Sequence, residues 1–277
     1  MNARKVFQMV LFSAAVAAVF AIATVSHASE RRFTYTQESG VIARGQVELE
    51  PTTTFLTGKE DYYSSFEQRI EFEIGLTGRL QTSLYLNMHA TTEMADSSLG
   101  TDAGFDGISS EWKLKLRDPV ADPFGLGLYL ELSAASNEVE LETKVIVDKR
   151  AGNWLGAFNA TVEPEWEFIP KDGTHDVESN LEFKYEFDLA GTYFVKPSTS
   201  VGLEVRNHNL HISSENYEHS VLFAGPVVSY ASETWWATLT VMPQIAKLKG
   251  SEVDAGHSLV TSELTKLEMR VIFGVDL

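Results

Sequence analysis

Val177-Glu-Ser-Asn-Leu-Glu-Phe-Lys-Tyr-Glu-Phe-Asp-Leu189 carries apolar side chains at 177, 181, 183, 185, 187 and 189, with Glu, Asn, Lys or Asp at most positions between. A repeat of two marks a strand with one apolar and one charged face. Strands of ordinary soluble sheets run about 5–6 residues, whereas this stretch runs 13. A tilted strand of about 9–11 residues crosses a bilayer. The stretch reads as a transmembrane strand, and its pattern recurs down the chain.

Twelve segments show the alternation, separated by turn residues: approximately 45–56, 65–76, 80–92, 107–117, 124–136, 138–148, 154–168, 177–189, 198–208, 218–230, 234–244 and 265–277. Connections after the even-numbered segments are mostly compact: Thr77-Gly78-Arg79, Asp118 to Pro123, Lys149 to Asn153, Ala190 to Pro197, and Ala231-Ser232-Glu233. Those after the odd-numbered ones are mostly longer and polar, notably Glu93 to Asp106 and Ile245 to Leu264; a short link near Asn137 is the exception. Bacterial outer-membrane barrels alternate short periplasmic turns with longer extracellular loops and use an even strand count. The expected fold is all-β: one closed antiparallel up-and-down transmembrane barrel of about 12 strands with a polar, acidic lumen.

One face of each segment suits lipid. Phe66, Ile70, Phe72, Ile74 and Leu76 oppose Glu67, Arg69, Glu71 and Glu73; Val162, Pro164, Trp166 and Phe168 oppose Asn159, Thr161, Glu163, Glu165 and Glu167; Leu267, Met269, Val271, Phe273, Val275 and Leu277 oppose Lys266, Glu268 and Arg270. Alternation alone does not say which face points inward, so a soluble barrel or sandwich stays an alternative. Strand length favours lipid, as do Tyr62, Tyr63, Trp154, Trp166, Tyr230, Trp235 and Trp236 near strand ends, where aromatic girdles belong.

Arg4 and Lys5, an apolar run from Val6 to Val25, and Ser26-His27-Ala28 form a secretory signal with expected cleavage after Ala28. That leaves 29–277 as the barrel domain and directs it to the outer membrane of a Gram-negative bacterium. An uncleaved N-terminal anchor is the alternative. The chain has no cysteine, which excludes disulfides and thiolate metal sites. Without Arg4 and Lys5, 20 basic residues face 39 acidic ones, a net charge near −19. Such a surface argues against nucleic-acid partners.

The terminal strand Lys266-Leu-Glu-Met-Arg-Val-Ile-Phe-Gly-Val-Asp-Leu277 resembles the C-terminal signal of outer-membrane proteins, although that pattern prefers a final Phe. Phe72-Glu-Ile-Gly-Leu-Thr-Gly-Arg-Leu-Gln-Thr-Ser-Leu-Tyr-Leu86 and Phe223-Ala-Gly-Pro-Val-Val-Ser-Tyr-Ala-Ser-Glu-Thr-Trp-Trp-Ala237 resemble hairpins of proteobacterial outer-membrane barrels, including transporters linked to phenol degradation. The resemblance implies the barrel-assembly machinery as a partner during biogenesis, and outer-membrane lipid and lipopolysaccharide as surroundings. It says little about cargo.

On this face assignment the lumen takes Glu48, Glu50, Glu67, Glu71, Glu73, Glu111, Glu131, Glu138, Glu140, Glu142, Glu163, Glu165, Glu167, Glu178, Glu182, Glu186, Asp188, Glu204 and Glu268, against Arg69, Lys113, Lys115, Arg117, Lys144, Lys184, Arg206, Lys266 and Arg270. A wall of one sign concentrates counter-ions, so an open path is expected to favour cations. Equally, the two signs pair across strands and fill the bore. Twelve strands lie between the eight that side chains fill and the 16–18 of open channels. A narrow pore or transporter for a small solute of unknown identity is the leading expectation, and a salt-bridge-plugged structural or surface-interaction barrel is the alternative.

No catalytic group, metal site or cofactor is expected. His211-Ile212-Ser213, with Glu215 and Asn216 nearby, echoes the His-x-Ser of outer-membrane lipid-modifying enzymes but lacks their spacing, which leaves such an enzyme a remote alternative. The His208 and His211 pair offers too few ligands for zinc. Asp96, Asp102 and Asp106, like Asp172 and Asp176, read as solvated loop residues.

Overall fold

Each strand finds two antiparallel neighbours, and the sheet closes on itself. A computed structural model describes residues 30–95, 98–171, 177–212, 216–250 and 255–277; the expected signal segment, residues 1–28, lies outside them. The strands are β1 (Val47–Thr57), β2 (Tyr63–Gly75), β3 (Leu80–Ala95), β4 (Ser98–Arg117), β5 (Gly125–Ala134), β6 (Glu138–Ala151), β7 (Trp154–Pro170), β8 (Val177–Lys196), β9 (Thr199–Ile212), β10 (Asn216–Ala231), β11 (Trp235–Lys249) and β12 (Leu267–Asp276). Each pairs with its sequence neighbours, and β1 closes the barrel on β12 in a register running from Glu48 opposite Asp276 to Thr57 opposite Leu267. Closure matters because lipid offers the backbone no hydrogen bonds, so a free sheet edge there would leave its groups unsatisfied.

The two faces sort as a membrane barrel requires. Leu84, Leu189 and Leu203 are about 60% exposed, whereas Glu48, Asn159, Asp188 and Glu204 are fully buried. A ring of this much exposed apolar surface is not sustainable in water. At the end carrying the compact turns, Trp154 packs on Tyr193, and Trp235 on Tyr230 and Phe273, forming an aromatic belt. Trp236 does not join it. Its side chain is fully buried in the lumen, and its indole N–H donates to Glu48 at 2.6 Å.

Three connections differ from expectation. Glu93 to Asp106 is not a long loop: β3 and β4 keep pairing through it, ending at Ala95 opposite Ser98. Ala190 to Lys196, expected within a compact connection, extends β8. The strand β9 runs on through His211, with Ser213 and Glu215 outside the described residues. Gly107, with a φ of 112°, marks a register shift in the β3–β4 ladder. Its backbone lies so close to Ala134 that a Cβ there would meet the carbonyl oxygen at 2.2 Å, which glycine alone tolerates.

Candidate functional site

The barrel interior holds two inserts and a cavity. The first insert is the segment before β1, residues 30–46, which no strand register accounts for. Most of Arg32 to Ile42 is buried, and a buried backbone must find partners. Here the wall's side chains supply them. Glu204 accepts from the N–H of Thr34 at 2.6 Å and of Tyr35 at 3.1 Å. The Asn159 amide grips both sides of Gln37, accepting from its N–H at 2.6 Å and donating to its carbonyl at 2.9 Å. Asp148 accepts from the backbone and hydroxyl of Ser39, Gln81 from the N–H of Ile42, and Thr238 donates to the carbonyl of Arg31. Phe33 seats among Leu155, Ala157, Ala190, Phe194 and Val227. The segment crosses the half of the lumen nearest the compact turns.

The second insert comes from the opposite end. The β11–β12 connection folds inward, and the Gln244 side chain exchanges hydrogen bonds with both backbone groups of Val260. Val260 packs with Val221, Phe223, Met242 and Tyr35. The two inserts therefore meet in an apolar cluster inside the barrel.

A cavity of about 460 Å³ lies at the long-hairpin end, lined by Glu67, Arg69, His89, Glu131, Glu138, Glu140, Glu142 and Glu163 among others. Cations of the wall pair with carboxylates, Lys184 and Arg206 with several at once. Lys184 Nζ contacts Glu140 at 3.3 Å, Glu163 at 3.0 Å, and Glu165. Lys144 pairs with Glu142 at 3.0 Å and lies over the Tyr129 ring. Arg69 pairs with Glu131 and stacks on Tyr85; Tyr85 donates to Glu111 and Tyr129 to Glu131. Arg206 bridges Glu186 and Glu268 while stacking on Tyr35 and Phe223. Arg270 also lies over the Tyr35 ring, at 3.9 Å, and donates to Thr54.

The remaining candidates fall as follows. Glu71, Glu73 and Lys113 are buried on the inner face of β2 and β4. Glu165 stands opposite Glu182, and Glu167 opposite Glu138 and Asn180. Lys115 reaches the compact-turn rim and pairs with Asp118. There the backbone N–H groups of Val120 and Ala121 hold the Asp118 carboxyl below its usual range. Arg117 lies over the Phe124 ring. Glu178 is exposed on the β7–β8 hairpin with Lys171. His89 is flanked by Asp102 and Asp106 on its two ring nitrogens.

Sequence reading missed the inserted N-terminal segment. The available signal was Glu30-Arg-Arg-Phe-Thr-Tyr-Thr-Gln-Glu-Ser-Gly40, whose two arginines and two aromatics suit a charged, partly apolar interior better than a solvated leader.

No curated relative matches the chain in sequence. Among solved structures it is similar to the NanC porin, with 10% identity over 83% of this chain and 100% of that one at a TM-score of 0.52. It is also similar to the beta domain of the Bordetella autotransporter BrkA, with 10% identity over 84% and 100% at a TM-score of 0.51. At such identity the likeness is one of fold, that of an outer-membrane β-barrel, and it lends no support to the resemblance to phenol-degradation transporters. The family model matching residues 25–277 is DUF6662, described as a family of unknown function, and the chain belongs to that family.

Proposed function

We propose that this chain is an outer-membrane conduit for small cationic solutes, held closed on its compact-turn side by its own residues 30–46. The observation that carries the reading is how the segment is held. Its last residues, Gly45 and Gln46, exchange backbone hydrogen bonds with Gly75 at the foot of β1 and β2, and side-chain hydrogen bonds from Glu204, Asn159, Asp148 and Gln81 dock residues 34–42. Residues 30–44, fastened in this way, can leave without disturbing any strand pair. Above it, the cavity gathers six glutamates, which favours cations over anions. The reading includes signal-directed export to a Gram-negative outer membrane, insertion by the barrel-assembly machinery, and lipid and lipopolysaccharide around the belt.

The test compares full-length protein with a variant lacking residues 30–44 in planar bilayers. The full-length barrel is expected to be closed or rarely open, and the deletion to conduct with cation selectivity. Because the chain has no cysteine, Ser39→Cys with Asp148→Cys gives a clean tether that should hold the barrel shut under oxidation and release it on reduction. A deletion variant that folds but stays electrically silent would select the structural barrel instead. The Tyr35–Val260 cluster joining the two inserts favours that second reading.

A further inference from the structure

We propose that Glu50, Glu71 and Glu73 form a binding site for one hard divalent cation, with calcium the best fit, inside the barrel beside the docked N-terminal segment. The β1–β2 register sets Glu50 directly opposite Glu71, and Glu73 follows two residues along on the same face. One oxygen from each carboxylate lies within 4.8 Å of the others. That spread is about twice a calcium–oxygen bond, so one ion can reach all three. Exposures of 1%, 3% and 5% take these carboxylates out of water.

The independent sign is Glu50. Among the described residues neither of its oxygens has a hydrogen-bond partner. Its ion pair with Arg31 of the inserted segment spans 3.8 Å. Buried carboxylates need a matching charge and hydrogen bonds on their lone pairs. Gln81 donates to Glu73 at 3.0 Å, but both oxygens of Glu50 and one of Glu71 accept no hydrogen bond among the described residues, and the guanidinium of Arg31 is distant. The donor set is entirely hard oxygen, which disfavours metals that prefer sulfur or imidazole. Carboxylate oxygens scattered over this span suit the flexible shell of calcium better than the strict octahedron of magnesium.

The comparison within the same molecule sharpens the choice. Glu138, Glu140 and Glu165 approach one another just as closely, but Lys184 already pairs with Glu140 and Glu165. That cluster holds its cation in close contact. The Glu50 cluster has only the guanidinium of Arg31, 3.8 Å from Glu50.

The proposal is separate from whether the barrel conducts. The full mature chain, refolded in detergent free of lipopolysaccharide and stripped with chelator, is titrated with calcium chloride in a calorimeter, then with magnesium chloride. One calcium per chain is expected, with magnesium weaker. Glu50→Gln should weaken calcium binding at least tenfold, and Glu71→Gln supplies the same reading if the first variant does not fold. Glu140→Gln should leave the affinity unchanged. Arg31→Gln, which removes a competing positive charge and no ligand, should retain or tighten binding. Absence of calcium binding by the wild-type chain would overturn the proposal, as would an affinity that Glu50→Gln and Glu71→Gln leave unaltered.

Discussion

Asn159→Ala is the sharpest probe of the docked segment. The Asn159 side chain is fully buried, and its amide satisfies both the N–H and the carbonyl of Gln37 at 2.6 and 2.9 Å. In effect one side chain stands in for a strand partner. Each neutral hydrogen bond contributes about 1 kcal/mol net, and a buried donor left orphaned costs at least about 1 kcal/mol more. Truncation should therefore lower the docking free energy of the segment by about 3 kcal/mol, which is roughly a 100-fold increase in its opening equilibrium. The assay is amide hydrogen exchange of residues 33–39 in detergent, with the β6–β7 ladder as internal reference. Exchange in the segment should accelerate about 100-fold while the ladder, whose backbone pairs are untouched, keeps its protection. Asn159→Leu, which conserves bulk but not the amide, should behave like Asn159→Ala. Unchanged exchange at residues 33–39 in both variants would refute the idea that wall side chains hold the segment.

Acidity gives a second handle. Burial pushes the Glu38 carboxyl up to about 7, against the pull of Arg31 and Lys113. Because the docked pKa exceeds the free value, the contribution to docking is full below about 4.5 and is lost as pH rises through 7. Exchange at residues 33–39 should slow between pH 8 and pH 5 after correction for intrinsic rates, and Glu38→Gln should remove that component. Lys184→Met leaves Glu140, Glu163 and Glu165 without their shared cation. Removing one partner of such a cluster should cost about 2–3 kcal/mol, since Lys184 keeps some solvent contact. A lower temperature of heat modification on gels would show it, with recovery when Glu165→Gln is added. Gly225→Ala should prevent barrel formation, because the added Cβ would lie 1.7 Å from the Val241 carbonyl oxygen, whereas Gly156→Ala meets nothing nearer than 3.8 Å and should fold normally. Yield of heat-modifiable barrel separates the two.

The strand count, the hairpin order and the inversion of faces were legible because lipid imposes a strict rule on each strand: apolar outward, polar inward. Where that rule lapses, the pattern lapses too. Ser98 to Asp106 is exposed throughout yet stays paired with β3. Beyond the bilayer neither face need be apolar, so the alternation disappears while the ladder continues. Ala190 to Lys196 shows the opposite failure. Tyr193 faces outward, but Ala190 and Phe194 face inward onto Phe33, so both faces are apolar and the segment looks like no half-charged strand. Trp236 was misplaced for a related reason: an aromatic near a strand end reads as belt unless its parity is followed inward to Glu48.

The same cause explains why the lumen was harder to read than the wall. A list of inward charges treats each as part of a field acting on a solute. Several are instead ligands for the chain's own backbone or for one another. Glu204 faces residues 34 and 35, Glu186 and Glu268 are held by Arg206, and Asp148, an acid outside the inward set expected from sequence, faces residue 39. A backbone entering the barrel without a strand partner must be met by side chains, and the amides and carboxylates at 81, 148, 159 and 204 sit where that need arises. The interior thus divides by task. Near the compact turns its polar groups bind the inserted segment. Toward the long hairpins, where Glu67, Glu138 and Glu142 line the cavity, carboxylates outnumber the cations beside them. If the barrel conducts as proposed, the net charge relevant to a solute is that of the long-hairpin half alone, and reversal potentials should respond to Glu67→Gln or Glu138→Gln but not to Asp148→Asn. Equal sensitivity to all three would mean that the field is spread along the whole bore and that the division is wrong.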